Sequence, residues 1–174
     1  QFLTSHAAEE YLKHSDTLTV VRILDREFSP ATATIATSSA EGGATGLPNF
    51  DKVSSFTMET LADGTIMNNA DATGKTNNIL ESGSVHNIRF EITNKNNSRG
   101  TFTLLIRAGN DSIKRKQVLE RFNNVSLDPN STDYIAKRVG DQKFNLKTDG
   151  TTQYLELTGS FPNKSRLIRI SDVN

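Results

Sequence analysis

Apolar and polar residues alternate over residues 88–93 and 101–107, which predicts two half-buried strands. Phe90 and Ile92 fall on one face of the first segment. The apolar residues of the second segment also share one face, at every other position from Phe102. An Asn-rich stretch joins the two segments, so we predict an antiparallel pair of strands.

Similar patterns predict further strands, each bounded by turn residues such as Asp63-Gly64 or Asp149-Gly150. The predicted segments are 17–24, 56–61 with a short return over 65–67, a hairpin of 144–147 with 153–157, and a last strand over 166–170. Residues 113–122 fit either a helix or a strand, and we favour an extended arm that continues towards 127.

Two segments have the spacing of helices. Residues 2–14 carry their apolar side chains on one helical stripe. Residues 134–139 follow a proline turn, with Asn130 as the predicted N-cap and Asp133 in the position of a capping-box acid. Gly140 ends this second helix.

Residues 29–49 are rich in Ala, Thr, Ser and Gly, which favours a long loop or an inserted piece. We therefore predict a core domain of residues 1–27 and 56–174, with residues 28–55 as the insertion. The predicted fold class is mixed α/β (α+β). It consists of a mixed sheet with two or more short helices packed on it, plus the inserted polar loop region.

The charge balance narrows the classes of partner. The chain of 174 residues has 20 basic and 20 acidic side chains, so it lacks the basic excess that nucleic acid or an anionic membrane requires. It has no cysteine, which excludes disulfides and thiolate chemistry. The first residue is Gln1 and a helix begins at once, so we expect a fragment of a longer chain.

Three short patterns resemble binding sites but lack essential residues. Gly74-Lys75-Thr76 resembles the end of a phosphate-binding loop, yet Asn69 stands where that loop needs glycine. His6 and His14 are about two helical turns apart, too far to share one metal ion, and we expect them to be solvated. The other histidine is His86.

The third pattern is the alternation of Asp128, Asn130 and Thr132, which resembles the start of a calcium loop. Asp133 and Val139 stand at the positions where that loop needs glycine and glutamate. A proline turn with a helix cap explains these residues better. We therefore predict no cofactor and no metal.

A basic patch is the candidate site for contact between subunits. It consists of Lys114, Arg115, Lys116 and Arg121. Such a patch is most often a solvated surface, but it could also pair with an acidic patch on a neighbouring subunit. The chain has no GxSxG elbow, and no pair of carboxylates stands out with a reason for a shifted pKa, so we predict that it is not an enzyme.

The run from Phe122 to Ser131, FNNVSLDPNS, followed by Tyr134-Ile135, resembles the contractile tail sheath proteins of bacterial viruses. In that family an N-[LV]-S-[LM]-D-P phrase leads into a short helix beginning S-x-x-Y-[IV]. Three other segments resemble family phrases in the same order: YLKHSDTLTVVRIL at 11–24, FTMETLADGTIMNN at 56–69 and residues 101–111. The family's Trp-Gly-Asn turn is replaced here by Ile66-Met67-Asn68.

The resemblance covers residues 10–27 and 55–140. It implies a structural subunit that polymerises with copies of itself as a helical sheath around an inner tail tube. Triggered by the baseplate, the sheath contracts and drives genome delivery. The implied location is the virion, after assembly in the host cytoplasm. Because the terminal arms that join neighbours in this family are missing here, we expect this fragment to be mostly monomeric.

A second hypothesis is a β-rich binding or adhesion module of a phage or cell-surface protein. Asn, Thr and Ser number 16, 20 and 16, and such residues are common on carbohydrate-facing β surfaces. Sugar binding favours exposed aromatic residues, however, and the chain has no Trp and only three Tyr. Assembly of the full-length protein into tubes would separate the two hypotheses.

Overall fold

The computed structural model describes residues 3–19, 28–36, 55–70 and 83–174. These residues form two helices and nine strands. The helices are α1 (Leu3–Leu12) and α2 (Ile135–Val139). The strands are β1 (Pro30–Ala36), β2 (Ser55–Asp63), β3 (Met67–Asn69), β4 (Ile88–Asn96), β5 (Thr101–Ala108), β6 (Val118–Ser126), β7 (Lys143–Asp149), β8 (Thr152–Thr158) and β9 (Ile168–Val173).

Two of the sheets pack face to face as a β-sandwich. Sheet A has the order β1-β2-β9 and is antiparallel. Sheet B has the order β3-β4-β5-β6, in which only β3 and β4 run parallel. Strands β1 and β3 lie in contact at one side of the sandwich, and α2 contacts β6 and β9. The helix therefore covers the side opposite the β1–β3 contact.

Alternating side chains from both sheets form a single hydrophobic core. Phe56 and Ile168 of sheet A are buried with Leu104 and Ile106 of sheet B, and α2 adds Ile135. Fully burying one such side chain contributes roughly 1.5–3 kcal/mol. The rings of Phe56 and Phe102 also stack across the two sheets, with their centroids 5.6 Å apart. The apolar side chains whose alternation predicted the strands thus also form the core that holds the two sheets together.

The predicted fold class is wrong, because the protein is mostly β-sheet. The short helix α2 contributes buried residues to the core, but the described side chains of α1 lie at the surface, and Tyr11 and Leu12 are exposed. The chain is rich in β-branched and small polar residues, which favour paired strands over a layer of helices. A mixed sheet covered by several helices is therefore replaced by two packed sheets.

Several local predictions also need correction. The loop predicted over 29–49 is wrong for Pro30–Ala36, which form β1 and pair with β2. The return strand after β2 pairs in parallel with β4 and not with β2. Residues 17–19 are not a strand, and residues 20–27 lie outside the described part of the chain. The division into residues 1–27 with 56–174 and an insertion at 28–55 remains a prediction.

Other predictions are confirmed. The helix over 2–14 appears as α1, and the predicted pairs of strands appear as β4 with β5 and β7 with β8. The extended arm after residue 113 becomes β6, and the last strand becomes β9. Neither helix among the described residues is long and apolar enough to cross a bilayer.

Candidate interaction site

Among the strands that the structure describes, β7 and β8 form the third sheet, a two-stranded hairpin. Its pairing is uninterrupted, from Lys143 opposite Thr158 to Asp149 opposite Thr152. The turn between the strands therefore has two residues, and its first, Gly150, has a φ of 60°. This left-handed conformation favours glycine and suits a tight two-residue turn. Gly150 therefore permits the two-residue turn that sets the register of the hairpin.

One face of the hairpin is apolar and exposed to solvent. Phe144 lies opposite Leu157, and Leu146 lies opposite Leu155, so all four side chains share one face. Their exposed fractions are 66%, 47%, 63% and 66%. We call these four residues the apolar hairpin face. Contiguous apolar surface of this kind is typical of interaction sites.

The opposite face of the hairpin is polar and bonded within itself. Lys147 Nζ lies 2.6 Å from Glu156 Oε2. Asn145 Nδ2 donates to Thr158 Oγ1 at 3.0 Å. The charged residues of both strands occupy this face or its ends, so they do not interrupt the apolar hairpin face.

The hairpin neck, which consists of residues 139–142 and 159–165, connects the hairpin to the sandwich. Reciprocal hydrogen bonds join its two segments to each other. The backbone N–H of Asp141 donates to the Phe161 carbonyl at 3.1 Å, and the Phe161 N–H donates to Asp141 Oδ1 at 2.6 Å. Gln142 N–H donates to Asn163 Oδ1 at 3.1 Å, and Asn163 Nδ2 donates to the Gln142 carbonyl at 2.8 Å. These bonds fix the direction in which the hairpin leaves the sandwich.

A group of charged side chains seats the base of the hairpin on sheet A. Lys143 Nζ lies 2.8 Å from Glu59 Oε1, and Arg169 pairs with the other oxygen of Glu59. Arg169 Nη1 also donates to the Asp141 carbonyl at 3.1 Å. Burial alone would raise the pKa of Glu59, but the hydrogen bond from Lys143 and the charge of Arg169 outweigh it and lower that pKa. Glu59 is therefore ionised where it holds the hairpin base.

The lowered pKa of Glu59 predicts an acid-dependent contribution to stability. A carboxylate with a depressed pKa in the folded state stabilises the fold above its unfolded pKa of about 4.3, and this contribution is lost as the pH falls through the folded pKa. We expect Glu59→Gln to be less stable than the wild type at pH 7. The difference should shrink as the pH falls below about 4.

Urea denaturation of both proteins between pH 7 and 3 measures this difference. Glu91, whose pKa is also lowered, is present in both proteins, so its contribution cancels. The exposed Glu10→Gln serves as the control, with little expected change. A difference between the wild type and Glu59→Gln that stays constant with pH would contradict the role of ionised Glu59.

The predicted basic patch lies in the connection between β5 and β6 and at the start of β6. All four of its residues, Lys114, Arg115, Lys116 and Arg121, are exposed. Lys114 and Arg115 lie in a turn closed by two backbone hydrogen bonds between Ser112 and Arg115. Lys116 Nζ lies 2.7 Å from Glu91 Oε1, so this lysine is already paired within the chain.

Beneath this connection lies a buried ion-pair cluster that the sequence did not reveal. Arg107 is about 99% buried and Asp111 about 98%, with Arg107 Nε 2.6 Å from Asp111 Oδ2. Arg107 Nη1 also lies 2.8 Å from Glu91 Oε2, and Arg89 Nε lies 3.5 Å from Asp111 Oδ1. Burial alone would lower the pKa of Arg107, but its hydrogen bonds and ion pairs with Asp111 and Glu91 outweigh burial and raise that pKa. The guanidinium therefore remains charged. The cluster ties the β5–β6 connection to the sheet.

The other candidate binding residues are not brought together. His6, His14 and His86 are all exposed. Within the described ranges, no three His, Asp or Glu side chains are grouped so that they could hold a metal ion. The phosphate-loop-like residues 74–76 lie outside the described part of the chain.

The segment that resembles a calcium loop is a hydrogen-bonded turn. Asp128 Oδ1 accepts a hydrogen bond from the Asn130 N–H at 2.9 Å, and Ser131 Oγ accepts one from the Asp133 N–H at 3.1 Å. The predicted cap at Asn130 is wrong, because α2 begins only at Ile135 and follows Tyr134, which makes no side-chain cap bond. The backbone N–H groups of Asn130 and Asp133, the residues expected to cap the helix, are instead bonded within the turn.

The sequence predicted the hairpin but not that its apolar face is uncovered. Apolar residues at alternate positions of both strands were the available signal. This pattern cannot distinguish a face covered by another sheet from one open to solvent.

The chain was also compared with known proteins. No protein-family model matches it, and neither a curated protein nor a solved structure with significant similarity was found.

Proposed function

We propose that this chain is a structural subunit that works by contact with other protein chains, and specifically a subunit of a contractile phage tail sheath. The sheath would polymerise from copies of this subunit around the inner tail tube and contract on a signal from the baseplate. The proposed location is the virion. In this role the chain needs no catalytic site and no cofactor.

The apolar hairpin face is the observation that carries the proposal of a contact function. It presents four large apolar side chains to solvent, on a hairpin whose neck and base are held by hydrogen bonds and ion pairs. Holding such a face in place lowers the conformational entropy that is lost when a partner binds. The specific assignment to a tail sheath is supported by the ordered phrases between residues 10 and 140.

A contractile sheath requires subunits that stay rigid while their contacts change. The two packed sheets with one continuous core fit a rigid unit of this kind. Contraction would then be a rearrangement of contacts between units, from a metastable state to a more stable one. The exposed Lys114, Arg115 and Arg121 remain candidates for pairing with an acidic surface of a neighbour.

The mostly β architecture also favours a second candidate, a binding or adhesion module. Sheet A carries hydroxyl side chains on its outer surface, and Thr34 Oγ1 and Thr57 Oγ1 are hydrogen-bonded at 2.9 Å between neighbouring strands. Surfaces of this composition occur in β-rich modules that bind carbohydrates. This candidate has no support from the ordered sheath-like phrases.

Electron microscopy of the protein expressed at the full length of its gene tests the proposal. We expect hollow tubes of uniform diameter, built from repeated copies of the subunit. A protein that stays monomeric at all concentrations, and binds immobilised glycans, would contradict the sheath and support the binding module. The same protein with Arg115→Glu and Arg121→Glu tests whether the basic patch contributes to the tube contacts.

A further inference from the structure

We propose that the apolar hairpin face is covered by the same face of a second copy of this chain, in a two-fold pair. This goes beyond the proposed sheath function and does not rest on it. In such a pair, Phe144, Leu146, Leu155 and Leu157 of one copy would pack against the same four residues of the other.

The size of the face matches what a weak pair of subunits requires. About two thirds of Phe144, Leu146 and Leu155 and about half of Leu157 are exposed. The face therefore presents on the order of 500 Å² of largely apolar surface. Two copies packed face to face would remove on the order of 1,000 Å² from water, which is near the lower bound for a specific interface.

The arrangement of charge also favours a second copy as the occupant. In a two-fold contact, a charge on the axis would meet its own copy, and a charge off the axis would need an opposite charge elsewhere on the same face. The apolar hairpin face contains none, and its distal edge is formed by the neutral polar residues Thr148 and Gln153. The chain has zero formal net charge, so copies do not repel each other over long distances.

The form of the hairpin argues against a lipid surface as the occupant. A hairpin that inserts into a membrane leads with apolar residues at its tip. Here the tip is Asp149-Gly150-Thr151, and its residues are exposed. The apolar side chains lie along the strands behind this polar tip, where a flat bilayer would meet Asp149 first.

The small area makes the pair weak. We expect a dissociation constant on the order of 100 μM, so the chain is mostly monomeric at low micromolar concentration and paired only when concentrated. A two-fold contact closes on itself and cannot extend a helix. The contacts that propagate the proposed sheath would therefore lie elsewhere, and the two proposals can fail separately.

Sedimentation equilibrium of the 174-residue chain between about 5 and 500 μM tests the pairing. The wild-type weight-average mass should rise with concentration towards twice the monomer mass and should not exceed it. The test variant is Leu146→Lys with Leu155→Glu. It places opposite charges directly across the strands, which supports the hairpin and leaves the net charge unchanged. We expect it to stay monomeric throughout.

The matched control changes the polar face in the same way. Thr152→Lys with Tyr154→Glu places each new charge opposite Asp149 or Lys147 and also leaves the net charge unchanged. This control should pair as the wild type does. Circular dichroism of all three proteins checks that the fold is retained.

Four results would overturn the proposal. The first is a wild-type chain that stays monomeric at the highest concentration. The second is a Leu146→Lys/Leu155→Glu variant that pairs as well as the wild type. The third is a mass that grows beyond that of the dimer. The fourth is binding of the wild type, but not of this variant, to neutral phosphatidylcholine vesicles, which would assign the face to lipid.

Discussion

Replacing Asp111 with alanine is expected to lower the free energy of unfolding by about 3–5 kcal/mol, because the change removes a buried carboxylate that pairs with two buried arginines. Arg107 and Arg89 are each about 99% buried, and both lie within ion-pair distance of the Asp111 carboxylate. The Asp111 side chain also accepts a hydrogen bond from the Gln117 N–H at 3.0 Å. Its loss therefore also frees the connection that leads into β6.

Urea denaturation at neutral pH, followed by circular dichroism, measures this loss. The matched control is Asp149→Ala, which removes an exposed carboxylate from the hairpin turn and should change stability by less than about 1 kcal/mol. An Asp111→Ala protein as stable as this control would show that the cluster is not needed to hold the fold.

Replacing Gly140 with alanine is expected to cost about 2–5 kcal/mol, since the hairpin neck has no space for a side chain there. A Cβ at this position would lie 2.3 Å from Asn163 Cα, and backbone cannot move aside as a flexible side chain can. The φ of Gly140 is also 112°, which residues other than glycine rarely adopt. Both effects act on the segment that positions the hairpin.

The control for Gly140→Ala is Gly100→Ala, in the turn between β4 and β5. Gly100 also has a positive φ, of 61°, but a Cβ there would meet no atom within 4 Å. Its replacement should cost only the backbone strain, about 1–2 kcal/mol. Thermal denaturation of the two variants separates strain from steric overlap. Equal losses would contradict the close packing of the neck.

The predictions from the sequence were correct where the alternation of apolar residues and the turn residues indicated the same structure. The β4–β5 pair, the β7–β8 hairpin and the short helix before Gly140 were all recognised from such local patterns. In each of them the residues that specify the structure lie within about 20 positions of one another. Local pattern is sufficient there because the partner strand follows directly in the chain.

The incorrect predictions for β1 and β3 have a different physical origin. In β1, the inward positions Ala31, Ala33 and Ile35 are only partly buried, and alanine is too weakly hydrophobic to mark a face. The short strand β3 pairs with β4, which begins nineteen residues after Asn69, so no turn signal connects the two. The surroundings of a residue, more than its own type, decide such cases.

The candidate site was predictable only in part. The basic residues Lys114, Arg115, Lys116 and Arg121 lie at the surface, but Lys116 is bound to Glu91. No pattern in the sequence marked Arg89 and Arg107 as buried, and in the folded protein both lie within ion-pair distance of Asp111. The uncovered face of the hairpin is likewise a property of the assembled fold and not of its sixteen residues.

The hairpin neck also determines how a force on the hairpin would spread through the molecule. The carbonyl of Gly140 accepts a hydrogen bond from the Ile170 N–H in β9, and the carbonyl of Val139 accepts bonds from Lys164 and Ser165. Val139 and Ile170 are themselves buried in the core. A force applied to the hairpin tip would therefore be transmitted directly to sheet A. The hairpin would then move together with the sandwich rather than bend at its base.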